Sequence, residues 1–138
     1  MYPLLVTVPI GAWSGAAVFR LAGRYGSAHR LVLLGLSAAV PTLVTGLAEV
    51  RGLDTPQQRV AVVHASANTV GSALFLGACL RRANERHATI LGALGLVAVG
   101  VGGALGGHLS YALGAGVYRW QTGRRPALPV FTRQISYR

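Results

Sequence analysis

Apolar residues in this chain do not alternate with polar ones. They come in long blocks separated by short clusters of arginine. The blocks free of Arg, Asp and Glu are Met1–Phe19, Leu31–Ala48, Val60–Leu80 and His87–Tyr118, with Glu49 just past the second. A helix needs about 20 predominantly apolar residues to cross a bilayer. Each block therefore reads as a transmembrane helix, the second only just long enough. The fourth exceeds one span and is expected to break at Gly114 and Gly116. Short connections favour antiparallel neighbours, so the pattern predicts an all-α, integral-membrane bundle of four antiparallel helices over residues 1–117. Residues 118–138, with Pro126 and Pro129, lose helical periodicity and read as a basic C-terminal tail, an interfacial or extended arm.

The connections carry their own signals. Arg24–Arg30, with Gly26 and Ser27, reads as a small polar turn, and Arg81–Arg86 as a tight charged one. In Asp54-Thr55-Pro56-Gln57-Gln58, Thr55 can cap the third helix, Pro56 suits its first turn, and Gln58 can close a capping box. Pro9 and Pro41 fall inside helices and are expected to kink them. Gly102/Gly106 and Gly103/Gly107 are small-xxx-small pairs, which let helix backbones approach closely in lipid.

Composition agrees with the blocks. The 138 residues are 52% hydrophobic and 12% charged, against roughly 25% charged in soluble domains. All 13 cations are arginine, there are three acids, and the formal charge is +10. The arginines sit between apolar blocks and in the tail rather than along one face. That placement suits lipid headgroups and argues against a nucleic-acid partner. The uncharged N-terminus followed by Arg20–Arg30 favours outward termini, while the five tail arginines favour the opposite orientation. Cys79 is single, so no intrachain disulfide is possible. Trp13 and Trp120 read as interfacial anchors, although Trp13 is deep enough for the core.

Against that background the intramembrane polar residues stand out. His64 lies about 7.5 Å of helical rise from Arg59, and His108 about 9 Å from Gly114. In an antiparallel bundle these ends share one side, which puts both histidines at similar depth on consecutive helices. Thr7, Thr42, Thr45, Glu49, Asn68 and Tyr111 gather in the same half. Ionisable groups inside a span are functional candidates. Two imidazoles at matched depth could ligate a haem iron or another metal. Gly106 and Gly107 would give clearance for a flat cofactor, and Thr45, Asn68 and Tyr111 could orient the ligand rings. The structural alternative is that His64 bonds Asn68 or Thr45 and that His108 caps backbone. His29 and His87, beside arginines in the connections, read as interfacial.

Particular stretches also resemble a known family. Tyr2-Pro3, Val6-Thr7-Val8-Pro9-Ile10, Thr45-Gly46, Val63-His64-Ala65, Gly106-Gly107-His108-Leu109-Ser110-Tyr111 and Gly114-Ala115-Gly116-Val117 are similar to motifs of the domain-of-unknown-function family 2231. These are small bacterial four-helix membrane proteins. The resemblance implies residence in a bacterial cytoplasmic membrane. Members carry two further histidines where this chain has Tyr2 and Thr7, so only one bis-histidine site would survive here. Some relatives are joined to Rieske-type iron–sulfur domains, which implies electron transfer with a separate membrane or iron–sulfur partner subunit.

Two readings follow. In the first, His64 and His108 bind one b-type haem in a membrane electron-transfer subunit. In the second, a cofactor-free structural or assembly subunit docks other helices, or copies of itself, through Gly103 and Gly107 and grips a partner with its tail. A small-molecule carrier ranks behind both, because neither inverted repeats nor broken central helices are evident. With no paired carboxylates, Ser-His-Asp set or phosphate-cradling loop, a stand-alone enzyme is not expected.

Overall fold

The structure, a computed structural model, describes residues 3–50 and 53–114, without the side chains of residues 3–5 and 49. Four helices account for nearly all of these: α1 Pro3–Leu21, α2 Tyr25–Val50, α3 Thr55–Leu80 and α4 Glu85–Tyr111. The expectations for Glu49, Trp120, Gly116 and the tail lie outside the described residues. By length and composition α2, α3 and α4 can cross a membrane, and the apolar stretch Val6–Leu21 of α1 is shorter. At 1.5 Å per residue the 19 residues of α1 still reach about 28 Å, close to a hydrocarbon core of about 30 Å.

The helices form two hairpins, α1/α2 and α3/α4, each tightly packed within itself and more lightly packed against the other. Small residues make that closeness possible. Ala12, Ala16, Ala28, Ala39, Ala61, Ala78 and Ala88 are buried, while Val18, Val40, Val44, Leu47 and Val97 point outward. In lipid there is no hydrophobic gain in hiding leucine, so large residues coat the outside and small ones let backbones meet. On α3/α4 the backbones come close at Gly71, where a Cβ would lie 3.1 Å from the Gly95 carbonyl oxygen. The large side chains of the core are few. Trp13 and Phe75 stack with centroids 4.4 Å apart and planes 12° from parallel, joining the two hairpins. A Cβ at Gly35 would run into the Trp13 indole.

The element ends correct three local expectations. The first turn is not Arg24–Arg30: Gly23, with φ +71°, reverses the chain and α2 starts at Tyr25, taking Gly26, Ser27 and His29 into the helix. Arg30 is no obstacle, because a long cationic side chain tolerates helix and reaches outward. The cap of α3 sits one residue earlier than expected. Asp54 accepts from the Gln57 N–H at 3.3 Å, and the Gln57 side chain accepts from the Asp54 N–H at 3.3 Å. The aspartate carboxylate is the stronger acceptor for the exposed N–H groups, while Gln58 instead donates to the Leu53 carbonyl at 2.9 Å. Finally, α4 stops at Tyr111, where the Ala112 and Leu113 N–H groups donate to the His108 carbonyl and Gly114 adopts φ +65°. Helices α1 and α2 run on through Pro9 and Pro41.

Each end of the bundle is tied by a polar contact. Arg20, 8% exposed at the end of α1, donates to Glu85 at 3.0 Å and to Thr89 at 3.4 Å on α4. At the other end the Gln57 side chain donates to the Leu113 carbonyl at 2.8 Å. The start of α3 and the end of α4 therefore share one side, as the antiparallel expectation requires.

Candidate functional site

Where Gly102 and Gly106 of α4 face α3, the missing side chains admit Asn68 and His64. A Cβ at Gly102 would lie 2.7 Å from the Asn68 amide nitrogen, and one at Gly106 would lie 2.8 Å from His64 Cε1. With the ring seated there, His64 Nδ1 is 2.7 Å from the Gly102 carbonyl oxygen. A carbonyl only accepts, so Nδ1 carries the proton and donates, and in the neutral ring Nε2 bears the lone pair. The Asn68 amide nitrogen is 3.3 Å from Nε2 and donates at 2.9 Å to the His64 carbonyl. This is the His64–Asn68 bond of the structural alternative, extended to clamp α3 onto the α4 backbone.

The clamp forms one wall of a cavity of about 250 Å³ between the hairpins. From α1 it is lined by Pro9, Ile10 and Trp13, and from α2 by Thr42, Leu43, Gly46 and Leu47. Helix α3 contributes His64, Asn68, Thr69 and Ser72, and α4 contributes Gly103, Gly106 and Ser110. Gly46, Leu47, Thr69 and Gly103 are exposed, so the cavity opens outward along its rim. Gly46 and Gly103 have nothing within 4 Å of a built Cβ. Their missing side chains are part of the empty space itself.

The hydrogen-bond directions give the cavity a polarity. The Thr69 hydroxyl donates to the Ala65 carbonyl and Ser72 to Asn68, each at 2.8 Å. Hydroxyls that donate backward into their own helix turn acceptor lone pairs toward the other side. Asn68 spends its amide hydrogens on His64, which leaves its carbonyl oxygen without a donor among the described residues. The wall thus presents acceptors, while Nε2 of His64 is taken up by the Asn68 amide.

The expected site residues divide. His64, Asn68 and Gly106 come together at this cavity. Gly107 does not line it and has open space around it. Thr45 is exposed on α2 and donates to its own helix, to the Pro41 and Thr42 carbonyls at 3.0 Å. Tyr111 is 93% exposed. His108 is exposed and lies in the last turn of α4, three residues from its end, rather than well inside a span. It follows Gly106, which holds the His64 ring, by two residues, or about 200° around the helix. Matched depth is therefore not matched direction, and the two imidazoles are not brought to one cavity. A haem with both axial ligands from one chain does not fit this geometry. Among the described residues, no group of three or more His, Cys, Asp or Glu is placed to hold a metal. The clearance expected of the Gly103/Gly107 pair is found at Gly103 alone, and the sequence reading missed Gly46 as a cavity-forming residue.

No curated protein and no solved structure matches the chain. The family model described as "Predicted membrane protein (DUF2231)" matches residues 1–119, which covers the whole described bundle and its cavity, and the chain belongs to that family.

Proposed function

We propose that this integral membrane protein is a subunit that binds a small, largely apolar molecule bearing hydroxyl donors, the chemistry of a quinol, in the cavity beside His64. The supporting observation is the direction of the hydrogen bonds. The Thr69 and Ser72 hydroxyls and the Asn68 amide spend their hydrogens inside α3 and on His64, so the cavity offers acceptors. A ligand O–H can donate to the Asn68 oxygen or the Ser72 hydroxyl, while Pro9, Ile10, Trp13 and Leu43 supply apolar walls. His64, with Nδ1–H fixed on Gly102 and Nε2 3.3 Å from the Asn68 amide nitrogen, holds this acceptor wall in place. A quinol that becomes a quinone releases two electrons and two protons. The electrons require a separate acceptor, which would be a partner membrane or iron–sulfur protein.

A calorimetric titration of detergent-purified protein with a short-chain quinol, and then with its quinone, tests this reading. Quinol binding at least tenfold tighter than quinone binding is expected, with loss of binding in Gly46→Leu and Gly103→Leu. Both variants fill the cavity without meeting another side chain at Cβ. Equal affinity for the two forms overturns the acceptor reading, and unchanged binding in the filled variants overturns the site. Optical spectra of oxidised and dithionite-reduced protein from haem-replete cells belong beside the titration. A Soret band lost in His64→Ala and His108→Ala would replace the quinol reading with a haem bound through contacts between copies.

The second reading, a cofactor-free assembly subunit, draws on Gly103 and Gly107, which are open to the surroundings, with Gly103 exposed. Loss of a co-purifying partner in Gly107→Leu, with quinol binding intact, would favour it.

A further inference from the structure

A second space lies on the far side of Trp13. Helices α1 and α4 touch only lightly, and between them runs a groove of about 530 Å³. Val32 and Phe75, both buried, form its floor. Ala16, Ala17, Ala93 and Leu96 form its sides, and Leu21 and Val97, 87% and 65% exposed, mark its open rim. The groove is apolar except at one end, where Arg20 and Thr89 line it.

Arg20 is 8% exposed, yet its bonds to Glu85 and Thr89 both leave from a single nitrogen, Nη1. A guanidinium has five N–H donors, so most of its capacity has no partner among the described residues. The surrounding charge is lopsided. Arg20, Arg24, Arg30, Arg81, Arg82 and Arg86 all belong to this end of the bundle, and Glu85 is the one carboxylate among the described residues there. The last turn of α1 and the first turns of α4 place the cluster at the ends of apolar helices, at headgroup level in a bilayer.

We infer that the groove between α1 and α4 is a binding site for an anionic phospholipid of the bilayer, with one acyl chain along Ala17, Ala93 and Leu96 and the phosphate at Arg20. Charge decides among the possible occupants. A second copy would bring the same arginine excess to its matching end. The chain's own tail carries five arginines and no acid, and it follows Gly114 at the opposite end of the bundle. A phosphate diester complements the site, and a lipid reaches a lateral groove without leaving the membrane. This groove shares Trp13 with the His64 cavity, but its test does not depend on what that cavity binds.

Native mass spectrometry and thermal shift of delipidated protein, titrated with dimyristoyl phosphatidylglycerol, phosphatidylcholine or glycerol 3-phosphate, test the inference. Phosphatidylglycerol is expected to bind about tenfold or more tightly than phosphatidylcholine, and glycerol 3-phosphate not to bind measurably. Gly92 lines the groove with nothing within 4 Å of a built Cβ, so Gly92→Phe should block the acyl chain. Its phosphatidylglycerol affinity should fall to the phosphatidylcholine level with the helical spectrum unchanged. Arg20→Gln should lose the preference for the anionic lipid. If that variant does not fold, Gly92→Phe decides alone. Equal binding of the two lipids, unchanged affinity in Gly92→Phe, or glycerol 3-phosphate binding as tightly as the lipid would each overturn the assignment.

Discussion

The two spaces in this bundle share one wall, the Trp13 ring, and are built by opposite means. At the His64 end, glycine removes side chains from α4 so that a histidine and an asparagine reach its backbone, and hydrogen bonds hold the wall. At the Arg20 end, a buried cation crosses from α1 to α4 and an ion pair closes the gap. Short neutral bonds in an apolar setting are insensitive to salt, whereas a pair whose acid is 42% exposed is screened. The same four helices thus offer one rigid polar wall and one adjustable charged end.

The largest effect expected breaks both ends at once. Gly35→Val forces the Trp13 ring from its seat, and overpacking of this kind destabilises by about 1–3 kcal/mol. Thermal unfolding followed by circular dichroism should show the loss, and both spaces should change shape with it. Gly106→Ala is confined to the His64 end. The ring must move off Cε1 and Nδ1 contacts of 2.8 and 3.0 Å, giving up the Gly102 bond for a loss of about 1 kcal/mol, independent of salt. Glu85→Gln is its counterpart at the Arg20 end, with a loss of at most about 1 kcal/mol at low ionic strength. That difference from wild type should shrink near 1 M salt, where the Debye length is about 3 Å. If Glu85→Gln proves salt-independent and Gly106→Ala salt-dependent, the contrast between the ends is wrong. Gly107→Ala should have the opposite sign. Nothing crowds its Cβ, so replacing glycine within a helix can add up to about 1 kcal/mol.

The sequence carried the fold further than the site. Four blocks of apolar residues separated by arginines were enough for four helices, because a span's length and the position of charge are one-dimensional properties. Their ends were less legible. The turn before α2 depends on the left-handed backbone of Gly23, and the cap of α3 on a competition between neighbouring Asp54 and Thr55. Depth could be counted along the chain, and it placed His64 and His108 at the same side of the membrane. Direction could not be read from depth. The two-position step from Gly106 to His108 turns one toward α3 and the other away, and only knowledge of which glycines meet α3 sets that phase. The groove at Arg20 escaped notice for a related reason. An arginine at the end of an apolar run reads as a headgroup contact, and its burial against α4 is a tertiary fact.

Trp13, stacked on Phe75, lines both spaces, and its indole N–H has no hydrogen-bond partner among the described residues. A single partition between two compartments makes their occupants thermodynamically acquainted. Whatever shift of the indole a guest on one side prefers is a shift the guest on the other side must accept or resist. By linkage, any change in lipid affinity caused by filling the His64 cavity equals the change in the cavity's affinity caused by the lipid. The composition of the surrounding bilayer would then act as an effector of this protein, read in the emission of Trp13 in a Trp120→Phe variant.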